Sequence, residues 1–176
     1  MRPQFVQLCR WSSGAFLAAV LLVACAQPQR ATPAPIDVRL QAPSAEQAGR
    51  YFILLGGCND CHTPGWEQSG GQLPESEWLT GSPVGFRGPW GTTYASNLRI
   101  FVQNVTEDQW VEMFRTRAER PPMPWMNYRT INESDLRAAY RFIRSLGPKG
   151  EPAPEYVAPD QEPRTPYIVF VPRMPE

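Results

Sequence analysis

Apolar residues recur every three or four positions in three segments of the chain, and this spacing predicts three amphipathic helices. Each segment opens on a Ser, Thr or Asn, a residue type that caps free backbone N–H groups, and a Gln three positions later strengthens the first two starts. The predicted helices begin at Ser44, at Thr106 and near Asn132, and the first and third end at Gly56-Gly57 and Gly147-Pro148. Their apolar stripes contain Ala48, Tyr51, Phe52 and Leu55, then Trp110, Met113 and Phe114, then Leu136, Ala139, Tyr140, Ile143 and Leu146.

The stretch 63–104 between the first two helices has scattered Gly, Pro and Trp and no sustained period. An irregular segment of this length is unusual in a small domain unless something large fills its centre, and a bulky flat cofactor would do so. Pro-rich segments lie on both sides of the helical region, so the folded domain is predicted at 44–148 and a C-terminal extension at 149–176. The β-prone run "TPYIVFVP" in that extension is expected to lie along the domain as an extended strap.

The N-terminus has the features of an export signal. Two arginines precede the apolar run "GAFLAAVLLVAC", which is too short to span a bilayer alone. Its end, "LVAC", resembles a bacterial lipobox, which predicts a signal peptide at 1–24, a lipid-modified Cys25 and a Pro-rich tether at 25–43. The alternative is an ordinary signal cut after Ala26. Both place the chain on the periplasmic side of a bacterial membrane, and Ala26 after the lipobox cysteine favours the outer membrane.

The charge and the remaining cysteines narrow the possible functions. Basic and acidic residues balance at 17 each, so nothing indicates a nucleic-acid partner. Outside the signal and Cys25, only Cys58 and Cys61 remain, and these two cannot form a framework of several disulfides.

These two cysteines belong to the motif "CNDCH", residues 58–62. A structural zinc site needs four ligands, but Cys58, Cys61 and His62, the sole histidine, provide three at most. A thioredoxin-like redox pair would require a βαβ context, which the surrounding pattern lacks. Covalent attachment of one haem c uses all three residues: two thioether bonds from the cysteines and an axial histidine on the iron.

The second axial position must come from methionine if a side chain fills it. There is no second histidine, and Lys149 lies beyond the third helix. Of the five methionines, Met1 is lost with the signal, Met113 belongs to a helical stripe and Met174 is in the tail. Met123 and Met126 remain, in the run "RPPMPWMNYR". Prolines flank Met123 and hold it in a non-helical loop, which favours Met123 over Met126 as the ligand.

Together these residues resemble a class I c-type cytochrome. The run "MPW…DLRAAYRFIRSLGP" is similar to single-haem modules in cytochrome subunits of bacterial periplasmic dehydrogenases, and the resemblance covers about 44–148. It implies an all-α fold of about three to five helices, with the first and last crossing beside the haem. It also implies Cys58 and Cys61 as attachment points, His62 as the proximal ligand and Met123 as the distal one. The run "LTGSPVGFRGPWGTTYASNLR" and the Pro-rich tail depart from this pattern.

Two functions are consistent with these features. The first is an electron carrier for a dehydrogenase, an oxidase or another cytochrome, because His/Met ligation raises the reduction potential and requires no substrate site. The second is a haem enzyme or gas sensor with an open distal iron position. Arg120 and Arg129 flank the segment 121–128, here called the methionine loop, and could serve that second function or could pair with haem propionates. Trp90 or Tyr94 could also donate a hydrogen bond to a propionate.

Overall fold

The computed structural model describes residues 38–172, 174 and 175. The predicted signal peptide, the predicted lipidation site Cys25 and the predicted tether as far as residue 37 lie outside the described residues. The helices are α1 (Ala45–Leu55), α2 (Cys58–His62), α3 (Leu98–Phe101), α4 (Glu107–Thr116), α5 (Trp125–Tyr128) and α6 (Glu133–Ser145), and a 3-10 helix spans Glu75–Glu77. The strands are β1 (Gly85–Gly88), β2 (Gly91–Tyr94) and β3 (Tyr167–Val169).

The three helices predicted from periodicity are present, with the predicted caps, but the predicted stripe of the first is wrong in part, because Tyr51 and Leu55 are exposed and Ile53 is buried instead. Ser44 caps α1 by accepting from the Gln47 backbone N–H at 3.2 Å. Thr106 and Gln109 form a reciprocal capping box at the start of α4. Asn132 caps α6. These confirmed starts depend only on residues within one turn of the helix, which is why the sequence indicates them well.

Helices α1 and α6 form the main contact between elements of the fold. Gly49 of α1 lies against the backbone of α6, and a Cβ at this position would be 2.0 Å from the Ala138 carbonyl oxygen. Glycine is therefore the residue that permits so close an approach. Around this crossing, the side chains of Ile53, Leu136 and Ile143 are fully buried. The predicted first and last helices thus contact each other at the centre of the core.

A three-stranded sheet is present that the all-α expectation did not include. Its order is β2-β1-β3, with β1 antiparallel to β2 and parallel to β3. Pro89 and Trp90 form the two-residue turn of the β1–β2 hairpin. Strand β3 comes from the C-terminal run expected to lie as a strap, and Tyr167 pairs with Gly85 across a large sequence separation. Strands of three or four residues are too short to show an alternating pattern, so local periodicity did not reveal them.

The irregular stretch is tied to the helices by buried polar contacts. Arg99, only 5% exposed, donates to the carbonyls of Ser76 at 2.8 Å and Gly147 at 2.6 Å, and to that of Leu146. One arginine thus connects the 3-10 helix to the C-terminal end of α6. Among residues 38–172, 174 and 175, no helix is both long enough and apolar enough to cross a membrane.

Candidate cofactor-binding site

A cavity of about 540 Å³ lies between the helices, the methionine loop and the hairpin. This volume is within the range of small-molecule and cofactor sites. Its apolar wall includes Phe52 and Ile53 of α1, Phe101 of α3, and Trp110 and Phe114 of α4. Cys58, Cys61, His62 and Met123, the residues predicted to hold a cofactor, all line it. The fold therefore brings together four residues that span 66 positions of sequence, from 58 to 123.

Helix α2 presents both cysteines to the cavity. Gly57 precedes it with φ +63°, and a Cβ there would be 2.8 Å from an Asp60 carboxylate oxygen. Cys58 and Cys61 are three residues apart, a spacing that places side chains on one face of a helix. Burial raises the pKa of Cys58 to about 12 and that of Cys61 in the same direction, and neither is in a disulfide. Both sulfurs are therefore neutral thiols at pH 7.

His62 is buried and held in one orientation. Its Nδ1 lies 2.7 Å from the Ser96 carbonyl oxygen, which can only accept, so Nδ1 carries the proton. Burial lowers the pKa of His62, so the ring is neutral and Nε2 keeps its lone pair. The next residue is also fixed, since Thr63 Oγ1 donates to Asn59 Oδ1 at 2.7 Å and accepts from the Leu79 N–H at 2.8 Å. The imidazole is thus prepared to act as a ligand through Nε2.

The methionines occupy different environments. Met123 is partly buried against the core and lines the cavity between Pro122 and Pro124, whereas Met126 is 63% exposed and is not part of the wall. Met113, assigned from sequence to a buried helical face, is also in the wall. Its Sδ accepts from Arg117 Nη1 at 3.0 Å. Met123 is therefore the cavity thioether not already engaged by a hydrogen bond in the described part of the chain.

Residues of the hairpin and the C-terminal extension also form part of the wall, and among them only Tyr94 had been considered from the sequence as a haem partner. Phe86, Thr93 and Tyr94 of the hairpin and Pro154 and Tyr156 of the extension line the cavity. Irregular segments carry no local signal of what they will face, so only the fold reveals this role. The hints in the sequence were that a bulky cofactor could fill the centre of the stretch 63–104, that Tyr94 could donate to a haem propionate, and that the extension lies along the domain.

The polar residues considered as haem partners have distinct positions. Tyr94 Oη lies 2.7 Å from Thr165 Oγ1, whereas Trp90 is absent from the cavity wall. Arg129 stacks 4.3 Å over the Trp125 ring and donates to the Thr116 and Arg117 carbonyls. It therefore links the methionine loop to the C-terminal end of α4.

The remaining arginines of the site line the cavity itself. Arg117 pairs with Glu119 at 2.9 Å, and both belong to the wall together with Arg120. Among the described residues there is no group of three or more His, Cys, Asp or Glu side chains that could hold a metal ion.

The side chains present fit a covalently attached haem. Two neutral thiols on one helical face, a neutral histidine with Nε2 available and a thioether border the same largely apolar cavity. Sulfur and imidazole nitrogen are the donors that haem iron accepts in c-type sites.

Comparison with known proteins gives an informative match. The chain is 28% identical over 154 residues to one of the subunits of nicotinate dehydrogenase from Pseudomonas putida. The match covers 81% of this chain but only 12% of that subunit, so the chain spans about an eighth of the relative's length. No protein-family model matches the chain, and no solved structure matches it. The chain is thus similar to one part of a dehydrogenase subunit.

Proposed function

We propose that this chain is an exported, lipid-anchored c-type cytochrome that carries electrons for a dehydrogenase. The observation that carries the proposal is the convergence of Cys58, Cys61, His62 and Met123 on one apolar cavity. Export and the anchor at Cys25 rest on the signal-peptide pattern. The dehydrogenase partner rests on the similarity to part of the nicotinate dehydrogenase subunit.

In this proposal each group of the site has one task. The thiols of Cys58 and Cys61 would hold the porphyrin by two thioether bonds, each formed by addition of S–H across a vinyl group, which needs no external oxidant or reductant. His62 would bind the iron through Nε2, and the Nδ1 hydrogen bond to the Ser96 carbonyl fixes the orientation of the ring and increases its basicity. Met123 would bind the iron through its thioether sulfur. When bound, the haem supplies one-electron cycling between ferric and ferrous iron.

The wall of the cavity sets the conditions for electron transfer. Phe52, Trp110 and Phe114 keep water away and lower the local dielectric constant. In such surroundings, extra positive charge on the iron is less well solvated, which favours the ferrous state. A thioether ligand acts in the same direction, so the site is suited to a carrier of relatively high reduction potential.

Attachment is tested by extraction in acidic acetone after expression in a host that attaches haem to exported chains. The wild-type chain should keep its haem, Cys58→Ala should hold it by one thioether, and Cys58→Ala/Cys61→Ala should release it. The pyridine haemochrome spectrum distinguishes two, one and no thioether bonds. Wild-type haem that extracts freely would contradict the proposal.

Replacement of each methionine tests the distal ligand and separates carrier from ligand-binding protein. Met123→Ala should open the iron to carbon monoxide, shift the ferric spectrum toward high spin and lower the reduction potential. Met126→Ala and Met113→Ala should keep the low-spin spectrum, and Met126→Ala, at a residue 63% exposed, should also leave stability nearly unchanged. Wild-type ferrous protein that binds carbon monoxide readily, with no effect of Met123→Ala, would favour the enzyme or gas-sensor alternative.

A further inference from the structure

The C-terminal extension is fixed in place beside the cavity. Thr92 of β2 exchanges two backbone hydrogen bonds with Val157, at 2.8 and 3.0 Å. Tyr156 Oη donates to the Trp90 carbonyl at 2.8 Å. Asn97 Nδ2 donates to the carbonyls of Lys149 and Glu151 at 2.8 and 3.1 Å. Contacts on both sides of Pro154 and Tyr156 therefore determine where these two residues meet the cavity.

Tyr156 in turn positions an arginine. The guanidinium carbon of Arg120 lies 3.9 Å from the centroid of the Tyr156 ring, and both residues line the cavity. Stacking on an aromatic face leaves the N–H groups of a guanidinium free at its edge, where they can bind a carboxylate with two parallel hydrogen bonds. The ring thus orients Arg120 without using its donors.

Arg120 has no acidic partner in the part of the chain that the structure describes. Its neighbour Arg117 is paired with Glu119 at 2.9 Å and donates to Met113 Sδ, but Arg120 makes neither an ion pair nor a hydrogen bond there. The other acidic residue in the wall, Asp60, belongs to α2. Arg120 is exposed, so it is an oriented cation at the edge of the cavity whose donors bind no protein group among the described residues, and it is suited to an anionic group of the ligand.

We propose that Arg120, positioned by Tyr156, binds a carboxylate of the cofactor, so that the C-terminal extension is part of the cofactor site. The inference rests on the proposed function, because haem carries two propionate carboxylates. It assigns Arg120 as a binding residue and Tyr156 as a positioning residue. The extension, which departs from the cytochrome pattern, then has a direct role in cofactor recognition.

The reduction potential of the holoprotein provides the first test. Arg120→Gln leaves a carboxylate uncompensated, which stabilises ferric iron, so the midpoint potential should fall. Tyr156→Ala should lower it in the same direction, and Tyr156→Phe, which keeps the stacking ring, should restore most of the wild-type value. Arg164→Gln removes an exposed arginine of the same extension outside the cavity wall and should leave the potential unchanged. Equal potentials in wild type, Arg120→Gln and Tyr156→Ala would overturn the inference.

Binding of modified haem shows whether a carboxylate is the group involved. In the Cys58→Ala/Cys61→Ala background, Arg120→Gln should weaken binding of haemin by about three- to tenfold, as expected for a charge-assisted pair near solvent. Binding of haemin with both carboxyl groups methylated should not change. Equal weakening for both compounds would overturn the inference. Failure of the proposed function would appear differently, as a wild-type chain that carries no covalent haem.

Discussion

The α1–α6 pair and the hairpin with its C-terminal extension are stabilised in different ways. The helices meet through a fully buried apolar surface, with Leu136 and Ile143 inaccessible to solvent. The strand β3 and the residues after it, 167–171, are exposed and are held mainly by backbone hydrogen bonds to β1. Both regions contribute to the wall of the same cavity. The site therefore combines a rigid helical side with a side whose position depends on polar contacts.

The largest expected effect is at the helix crossing. Gly49→Ala would place a Cβ 2.0 Å from the Ala138 carbonyl oxygen, so α1 and α6 must separate. An alanine normally stabilises a helix relative to glycine, but here we expect a loss of about 3 kcal/mol or more in the free energy of unfolding. Urea denaturation followed by circular dichroism measures it. Gln47→Ala, at an exposed position of the same helix, is the control and should be neutral or slightly stabilising.

The same contrast explains which parts of the structure the sequence could predict. Helix α6 shows its buried stripe and its Asn132 cap within 15 residues, so period and capping chemistry predicted it. The motif at 58–62 is contiguous and could be interpreted directly. Pairing of Gly85 with Tyr167 depends on two segments far apart in sequence, and no local pattern indicates such a partner. The all-α expectation therefore did not include the sheet.

The candidate site, like the fold, was predictable only where a local sequence pattern indicated the role of a residue. Met123 could be proposed because prolines on both sides exclude a helix there. Met113 was predicted on a buried face of α4 and is partly buried against the core, but a helical stripe does not reveal that this face borders a cavity. Tyr156 lies in a Pro-rich segment with no periodicity, so its contact with Arg120 required the three-dimensional structure.

An intermediate effect is expected at Arg99, which connects the 3-10 helix to the C-terminal end of α6. Its guanidinium donates to Ser76, Leu146 and Gly147, and Arg99→Met would leave these three carbonyls without that donor. We expect a loss of about 2–3 kcal/mol in the free energy of unfolding. The matched control is Arg144→Met, an exposed arginine of α6 that donates to the Val102 carbonyl at 3.0 Å, and it should cost less than about 1 kcal/mol. A similar loss of unfolding free energy in both variants would mean that the three Arg99 hydrogen bonds stabilise the fold no more than the single Arg144 hydrogen bond does.

The smallest expected effect is at Gly91, where a substitution should disturb the C-terminal extension but not the α1–α6 pair. Gly91, at the start of β2, has φ +98°, and a Cβ there would be 2.4 Å from the Val157 carbonyl oxygen and 2.8 Å from the Tyr156 ring. Gly91→Ala should therefore displace the extension and cost about 1–2 kcal/mol in the free energy of unfolding. The far-ultraviolet circular dichroism of the helices should be retained, because α1 and α6 do not contact this position.

Limited proteolysis shows whether that loss comes from release of the extension or only from backbone strain. Gly65→Ala is the matched control, since Gly65 also has a positive φ, +78°, but a Cβ there would meet only Leu73 Cδ1 at 4.0 Å. Both variants carry the strain of a left-handed alanine, whereas only Gly91→Ala pushes against Tyr156 and Val157. Cleavage within 150–172, identified by mass, should therefore accelerate in Gly91→Ala alone. Equal cleavage in both variants would mean that the extension is not held by its contact with the hairpin.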